Sequence, residues 1–259
     1  MRLLTRRRVL PPLLLLLPFL AGIAPAQAEI EAVIAASKPS VLAVGTFNAL
    51  NNPGFRFRGT GFVVDDGTHA VTNAHVLPMT GDADAGDRLI VVLSGSDGRQ
   101  GRGAKVIASD PVYDLALLKF EGAPLPALKF APDAAVPDGR AVVLVGYPIG
   151  VVFGFVPVSH RGIVAATVPV AQPLPNARLL DQRTVYRMRQ GSFDILQLDA
   201  TAYPGNSGSP LLDADSGLVL GVINSVHVKA TRESALSHPT GISYAIPARH
   251  ASALLQQRR

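Results

Sequence analysis

Apolar residues in this chain fall in short runs separated by turn-forming residues. The first set comprises Val41-Leu42-Ala43-Val44, Gly61-Phe62-Val63-Val64, Ala70-Val71-Thr72, Leu89-Ile90-Val91-Val92, Lys105-Val106-Ile107 and Leu115-Ala116-Leu117-Leu118. Asn51-Asn52-Pro53-Gly54, Asp65-Asp66-Gly67 and Gly95 to Gly98 punctuate them. Short runs at roughly regular spacing predict the strands of a barrel or sandwich. Ala123 to Gly139, rich in Pro and Ala, reads as a linker. A second set follows: Ala141 to Val145, Gly162 to Ala165, Asp194 to Leu198, Ser209 to Leu212, Leu218 to Val228 and Ile242 to Ile246. Two similar sets around one linker predict an all-β chain of two stacked antiparallel β-barrels. Two helices flank them. One spans Glu29 to Ser37, with Glu29 and Glu31 in its first turn and Pro39 ending it. The other runs from Pro247 to Gln257, with Pro at the first helical position. The expected division is a leader over 1–28, an N-terminal barrel over 29–132 and a C-terminal barrel over 133–259.

The leader changes how composition is read. Arg2, Arg6, Arg7 and Arg8 precede a Leu-rich run from Val9 to Leu20, and Ala26-Gln27-Ala28 follows. Basic, apolar, then small-x-small is the pattern of a cleaved export signal. A membrane anchor is disfavoured, because the run is short and Pro11, Pro12, Pro18 and Pro25 interrupt it. Thr5-Arg6-Arg7-Arg8-Val9-Leu10 also resembles a twin-arginine signal, so general and twin-arginine export both remain open. A periplasmic or secreted location is expected. The formal net charge of the 259 residues is +5. Cleavage after Ala28 removes four arginines and no acids, leaving +1. The basic character therefore belongs to the leader, and a nucleic-acid partner loses its main support. With no cysteine, thiol catalysis and cysteine-based metal sites are excluded, and an exported chain must rely on its core.

Thr167 to Gly191 departs from the strand pattern. It carries Pro169, Pro173 and Pro175, then Arg178, Arg183, Arg187 and Arg189. A long surface insertion is expected there. It is either an inert solvated loop or a regulatory or binding loop beside the site.

Three stretches carry candidate chemistry. Asp199 to Pro210 contains Gly205-Asn206-Ser207-Gly208. Glycines allow a tight turn that aims successive N–H groups at one point, with a hydroxyl beside them. That combination suits acyl transfer, which needs a nucleophile and donors for an oxyanion. Val71-Thr72-Asn73-Ala74-His75-Val76 places a histidine just past a strand end. Asp110 to Leu118 places Asp114 at the head of another strand. The order His75, Asp114, Ser207 is the reverse of the α/β-hydrolase order, and Ser209 stands where that elbow needs glycine. The remaining histidines, His69, His160, His227, His238 and His250, lack ligand spacing. Asp65-Asp66-Gly67 reads as a hairpin turn rather than a calcium site. No metal or cofactor is expected.

At these blocks the chain resembles the chymotrypsin-fold, trypsin-like serine peptidases, and within them the HtrA/Deg branch. Gly59 to Val64 with Val71 to Val76 is similar to that branch's histidine block, Asp110 to Leu118 to its aspartate block, and Leu198 to Gly208 to its serine block. Gly221 to Ser225 and Gly241 to Pro247 resemble the pocket strand and the closing segment. The resemblance implies an endopeptidase acting on polypeptides, with Ser207 as nucleophile, His75 as base and acid, and Asp114 orienting His75. It also implies an oxyanion hole from the N–H groups of Gly205 and Ser207, and a role in protein quality control or degradation. The primary pocket would lie between Thr201-Ala202-Tyr203 and Ile223-Asn224-Ser225. No acid heads the first segment, so a small or medium apolar side chain is expected in the pocket. Gly-Asn-Ser-Gly-Ser-Pro also resembles the glutamyl endopeptidases, but Val222-Ile223-Asn224 lacks the pocket histidine those carry. The branch usually continues into PDZ domains, whereas this sequence ends at Arg259, so a peptidase lacking a PDZ domain is expected. A non-catalytic binding or scaffold protein on the same fold is the alternative.

Overall fold

The most buried strands in this protein are apolar on both faces because each face meets a different core. In β1 (Val41–Phe47), Leu42 and Val44 point into one hydrophobic cluster while Val41 and Ala43 point into another. The two-residue period of a strand sorts them. A computed structural model describes residues 26–78, 86–95, 101–151, 154–169, 193–224 and 241–257. Within these, α1 (Ala26–Ser37) is followed by β1, β2 (Phe55–Val64), β3 (His69–Asn73), β4 (Arg88–Leu93), β5 (Arg102–Asp110) and β6 (Leu115–Phe120). They close into an antiparallel barrel in the order β1-β2-β3-β6-β5-β4. A second barrel contains β7 (Ala141–Gly146), β8 (Val158–Pro169), β9 (Asp194–Asp199), β10 (Pro210–Asp213), β11 (Val219–Ile223) and β12 (Ile242–Pro247). Its order is β10-β11-β12-β9-β8-β7, and α2 (Ala248–Gln257) follows.

The expected all-β double barrel is therefore present. Leu42, Val44, Ala70 and Leu118 fill the first barrel, and Val142, Leu144, Leu198 and Leu211 fill the second. A third cluster lies between them and draws on both: Val41, Phe62, Val71, Leu115 and Leu117 meet Val143, Val145, Tyr147, Leu212 and Ile246. Leu254 of α2 and Ile30, Val33 and Ile34 of α1 pack against it. Both helices thus seal the seam between barrels. The linker joins the barrels by backbone bonds: Leu128 N–H donates to the Val63 carbonyl, and Ala131 N–H to that of Val219, each at 2.9 Å.

Four sequence expectations shift. Pro247 is the last residue of β12, paired with Gly221, and the helix begins at Ala248. The residue after a strand pairing ends is free to turn into α-geometry, whereas Pro247 still needs extended backbone. α1 starts at Ala26, ahead of Glu29. Thr167 to Pro169 belong to β8, paired with β9, rather than to a loop. β11 ends at Ile223, short of the expected Val228. The leader up to residue 25, Ser225 with the rest of that run, and the insertion from 170 to 191 with its four arginines lie outside the described residues. No helix among the described residues is long and apolar enough to cross a membrane.

One ion pair pins the edge of the second barrel. Arg140, ahead of β7, donates from Nε and Nη2 to the carboxylate of Asp213, the last residue of β10. The N–H groups of Asp215 and Ser216 donate to the same carboxylate at 3.1 and 2.9 Å. Burial acts to raise the Asp213 pKa, but these donors, Arg140 first, hold it at about 2 against an ordinary 3.8. A depressed carboxylate adds stability that is complete above its ordinary pKa and is lost as pH falls through the folded value. The thermal midpoint should therefore drop as pH falls from about 4 towards 2. Asp213→Asn should lower stability at neutral pH by about 1–3 kcal/mol and flatten that acid slope. Thermal melts of both proteins across this range would check it.

Candidate active site

The stretch between β9 and β10 is a tight turn that few sequences could occupy. Asn206 N–H donates to the Tyr203 carbonyl at 3.0 Å, and Ser209 N–H to that of Asn206 at 2.9 Å. Pro204 accepts from Ile149 N–H at 2.7 Å, and Gly208 donates to Ile223 at 2.9 Å. The first barrel grips the same turn through Thr60. Its N–H donates to the Ser207 carbonyl at 2.9 Å and its hydroxyl to the Gly205 carbonyl at 2.7 Å. Gly205 and Gly208 have φ of +104° and +86°, where a side chain is strained. Space excludes one as well: a Cβ on Gly205 would lie 2.3 Å from the Tyr147 carbonyl oxygen, and one on Gly208 2.0 Å from that of Thr60. Among the described residues, the N–H groups of Gly205 and Ser207 donate to no backbone carbonyl.

The histidine and aspartate are held by strands β3 and β6, which pair so that Asn73 faces Leu115. His75 sits in a 3-10 turn directly after β3. Asp114 directly precedes β6 in left-handed backbone, at φ +52°. Its carbonyl accepts from Ala74 N–H and from Asn73 Nδ2, both at 3.0 Å. Its carboxylate accepts from His75 N–H at 2.9 Å, and its Oδ2 lies 2.6 Å from His75 Nδ1. Asn224 Nδ2 donates to the same Oδ2 at 2.9 Å. Burial acts to raise the Asp114 pKa, but the hydrogen bond and charge of the His75 ring, then His75 N–H and Asn224, outweigh it and hold it below the usual carboxylate value. An ionised carboxylate can only accept, so Nδ1 carries a proton, and whenever the ring is neutral Nε2 is its acceptor.

The serine turn and the histidine turn meet across Gly59. A Cβ there would lie 2.6 Å from the Val76 side chain and 3.0 Å from the Ser207 carbonyl oxygen. The link from serine to aspartate is equally short in sequence, since Ile223 receives Gly208 N–H and the next residue, Asn224, reaches Asp114. The structure thus gathers the surroundings of His75, Asp114 and Ser207 at one seam. Ser207 is nearly buried, at 6% exposed, and the His75 side chain is about a quarter exposed, at 23%.

The profile of the trypsin-like peptidase domain matches residues 59–222, a span that holds all three residues. This chain belongs to the trypsin-like peptidase family. A DegP-like periplasmic serine endoprotease of Pseudomonas fluorescens is 32% identical over 189 residues, covering 73% of this chain and 32% of that protein. The serine protease HhoA of Synechocystis is 31% identical over 203 residues, covering 76% and 42%. This chain therefore spans less than half the length of these curated relatives. Among solved structures, an HtrA-type protease with a tripeptide superposes with a TM-score of 0.61 at 26% identity, over 88% of this chain and 62% of that one. An inactive serine-to-alanine mutant of Rv3671c from M. tuberculosis gives 0.58 at 25% identity, over 87% and 89%.

Within this peptidase domain the expected pocket residues divide. Thr201, Ala202 and Tyr203 are half-buried beside the serine turn, and Tyr203 lies near the His160 ring, with centroids 5.9 Å apart. Ile223 is fully buried in the second barrel's cluster. Asn224 is also buried, with its side-chain amide bound to Asp114. That role was not legible in the sequence, where Asn224 is simply the polar end of an apolar run. Thr60 was equally silent. Among the described residues one group could offer three ligand atoms to a metal ion, Asp65, Asp66 and His69. It is the β2–β3 hairpin turn, in which Asp66 Oδ1 already accepts from Thr68 N–H at 3.0 Å and Thr68 Oγ1 at 2.7 Å.

Gly208→Ala tests whether the turn is needed as built. The added methyl would force Thr60 and Thr72 apart from it. Loss of any serine-directed labelling at Ser207 is expected, with a stability cost of about 1–3 kcal/mol. Intact labelling in Gly208→Ala would show that the turn tolerates rearrangement.

Proposed function

We propose that this chain is an exported serine endopeptidase that cleaves polypeptides through an acyl-enzyme. The observation that carries this reading is the Asp114–His75 pair, closed at 2.6 Å and met across Gly59 by a tight glycine turn bearing Ser207. In this reading Ser207 Oγ attacks the scissile carbonyl while His75 Nε2 takes its proton. His75 then gives that proton to the leaving amine. A water deacylates Ser207 by the same exchange. Asp114 keeps the proton on Nδ1 and offsets the positive charge that the ring gains. The N–H groups of Gly205 and Ser207, unused by backbone carbonyls, would bind the oxyanion, each worth about 3 kcal/mol to the transition state. The DegP-like names of the relatives support a periplasmic setting, and the basic, apolar, small-x-small leader supports export. Work in protein degradation or quality control fits both.

Serine-directed fluorophosphonate should label Ser207, and Ser207→Ala should lower kcat by about 10⁶-fold while leaving the fold intact. Asp114→Asn should lose about 10⁴-fold, because the amide turns the imidazole to the wrong tautomer. A scaffold protein would show neither labelling nor turnover, and residual hydrolysis in Ser207→Ala near the parent rate would overturn the assignment.

The pocket reading is a small or medium apolar residue on the acyl side of the cut. With Asn224 turned to Asp114, the segment Thr201-Ala202-Tyr203 supplies the described wall, and it holds no charge. Selection among aliphatic side chains should be loose, at ~1–3 kcal/mol per methylene. A peptide-library cleavage profile would read this, and dominant selection for Arg, Lys or Glu would sink it.

A further inference from the structure

Three aromatic rings from distant parts of the chain meet directly behind Asp114. Tyr113, the residue before it, stacks on His250 of α2, with centroids 3.7 Å apart and planes inclined by 24°. Phe193, next to the first residue of β9, stands edge-on to Tyr113 at 4.9 Å and to His250 at 5.8 Å. The trio joins the β5–β6 turn of the first barrel to a strand end of the second barrel and to the C-terminal helix. His250 enters it as a ring face rather than as a polar group. Its Nε2 is buried and meets no hydrogen-bond partner among the described residues. Burial pushes its pKa down to about 4, aided by Arg249 and opposed by Asp110 and Asp133, so the ring is neutral.

Asp114 is the residue that needs such support. Left-handed backbone is uncommon for residues with a side chain, though aspartate takes it more readily than most, and it persists where the surroundings over-determine it. The following side is fixed by the two donors to its carbonyl. On the preceding side, Val112 and Tyr113 N–H groups donate to Asp110 Oδ1 at 2.9 and 3.2 Å. That cap holds the Tyr113 backbone, and the rings hold its side chain. We propose that Tyr113, Phe193 and His250 are positioning residues, an aromatic clamp that sets the backbone of Asp114 and hence the aim of its bond to His75. The inference rests on the reading of Asp114 as the orienting member of the triad, and it deepens that reading.

The test compares ring-removing with ring-keeping variants of the full chain. Tyr113→Ala and Phe193→Ala should lower kcat on a peptide substrate by about 10- to 100-fold, with KM changed less than about threefold. They should also shift the acid limb of the kcat/KM profile. Tyr113→Phe and His250→Phe keep the rings and should stay within about threefold of the parent. Leu42→Ala, which removes packing from the first barrel's own cluster, of which none of the three rings is a part, is the control. It should lower the melting temperature and leave kcat alone. If Tyr113→Ala fails to fold, Phe193→Leu takes its place. A second readout needs no turnover: the downfield ring N–H proton resonance of His75, assigned by its loss in His75→Ala. It should move or broaden in Phe193→Ala and not in His250→Phe. A moved resonance in a protein without activity would sink the peptidase reading and leave the clamp standing. Unmoved kcat and resonance in a folded Phe193→Ala, or an equal kcat loss in Leu42→Ala, would overturn the clamp.

Discussion

Thr60 spends each of its polar groups at the seam between the barrels. Its N–H reaches Ser207 and its hydroxyl proton reaches Gly205. The hydroxyl oxygen accepts from Tyr147 N–H at 3.1 Å, and the carbonyl accepts from Thr72 Oγ1 at 2.7 Å. One buried residue of β2 therefore ties together the serine turn, the strand leading to His75 and the end of β7. A buried polar group without its partner costs about 1–3 kcal/mol, and here several would be orphaned together. The glycines at 205 and 208 make that grip possible by leaving room for the Thr60 and Tyr147 carbonyls. The turn is gripped by contacts from the opposite barrel, so its geometry belongs to the assembled molecule and to neither half.

How far the sequence could be read follows from what each residue signals. Runs such as Val41 to Val44 and Leu115 to Leu118 announced strands because both of their faces are buried, one in a barrel and one at the seam. The Gly205 to Gly208 turn, His75 after its strand and Asp114 before its own were legible as candidates, because the order and the glycine pattern are specific. Thr60 and Asn224 were not, since a threonine or asparagine at a strand position has many uses and its partner lies far off in the chain. Pairing across about 110 residues, as between Asn224 and Asp114, leaves no local trace. Strand ends were misjudged where an edge residue, Pro247 or Thr167, keeps extended backbone for a pairing that the run itself does not reveal.

Tyr113 illustrates a third kind of residue. As part of the aspartate block it reads as filler between Asp110 and Asp114. In three dimensions it is the meeting point of a helix and two barrels. Its neighbour Asp114 holds an uncommon backbone state, and the packing around it is built from rings rather than from further hydrogen bonds. Flat stacked faces fix orientation while leaving the polar capacity of the site to the residues that meet His75.

The division of the site between barrels also bears on when the proposed peptidase would become competent. His75 and Asp114 come from the first barrel and Ser207 from the second, and the shared cluster of Val71, Leu115, Val145 and Leu212 forms only when the two are docked. A chain folded in one half alone would carry an inert serine or an idle histidine. On the proposed peptidase reading, an emerging chain surrounded by its own unfolded segments would be harmless to itself, because its site is complete only once the seam has closed.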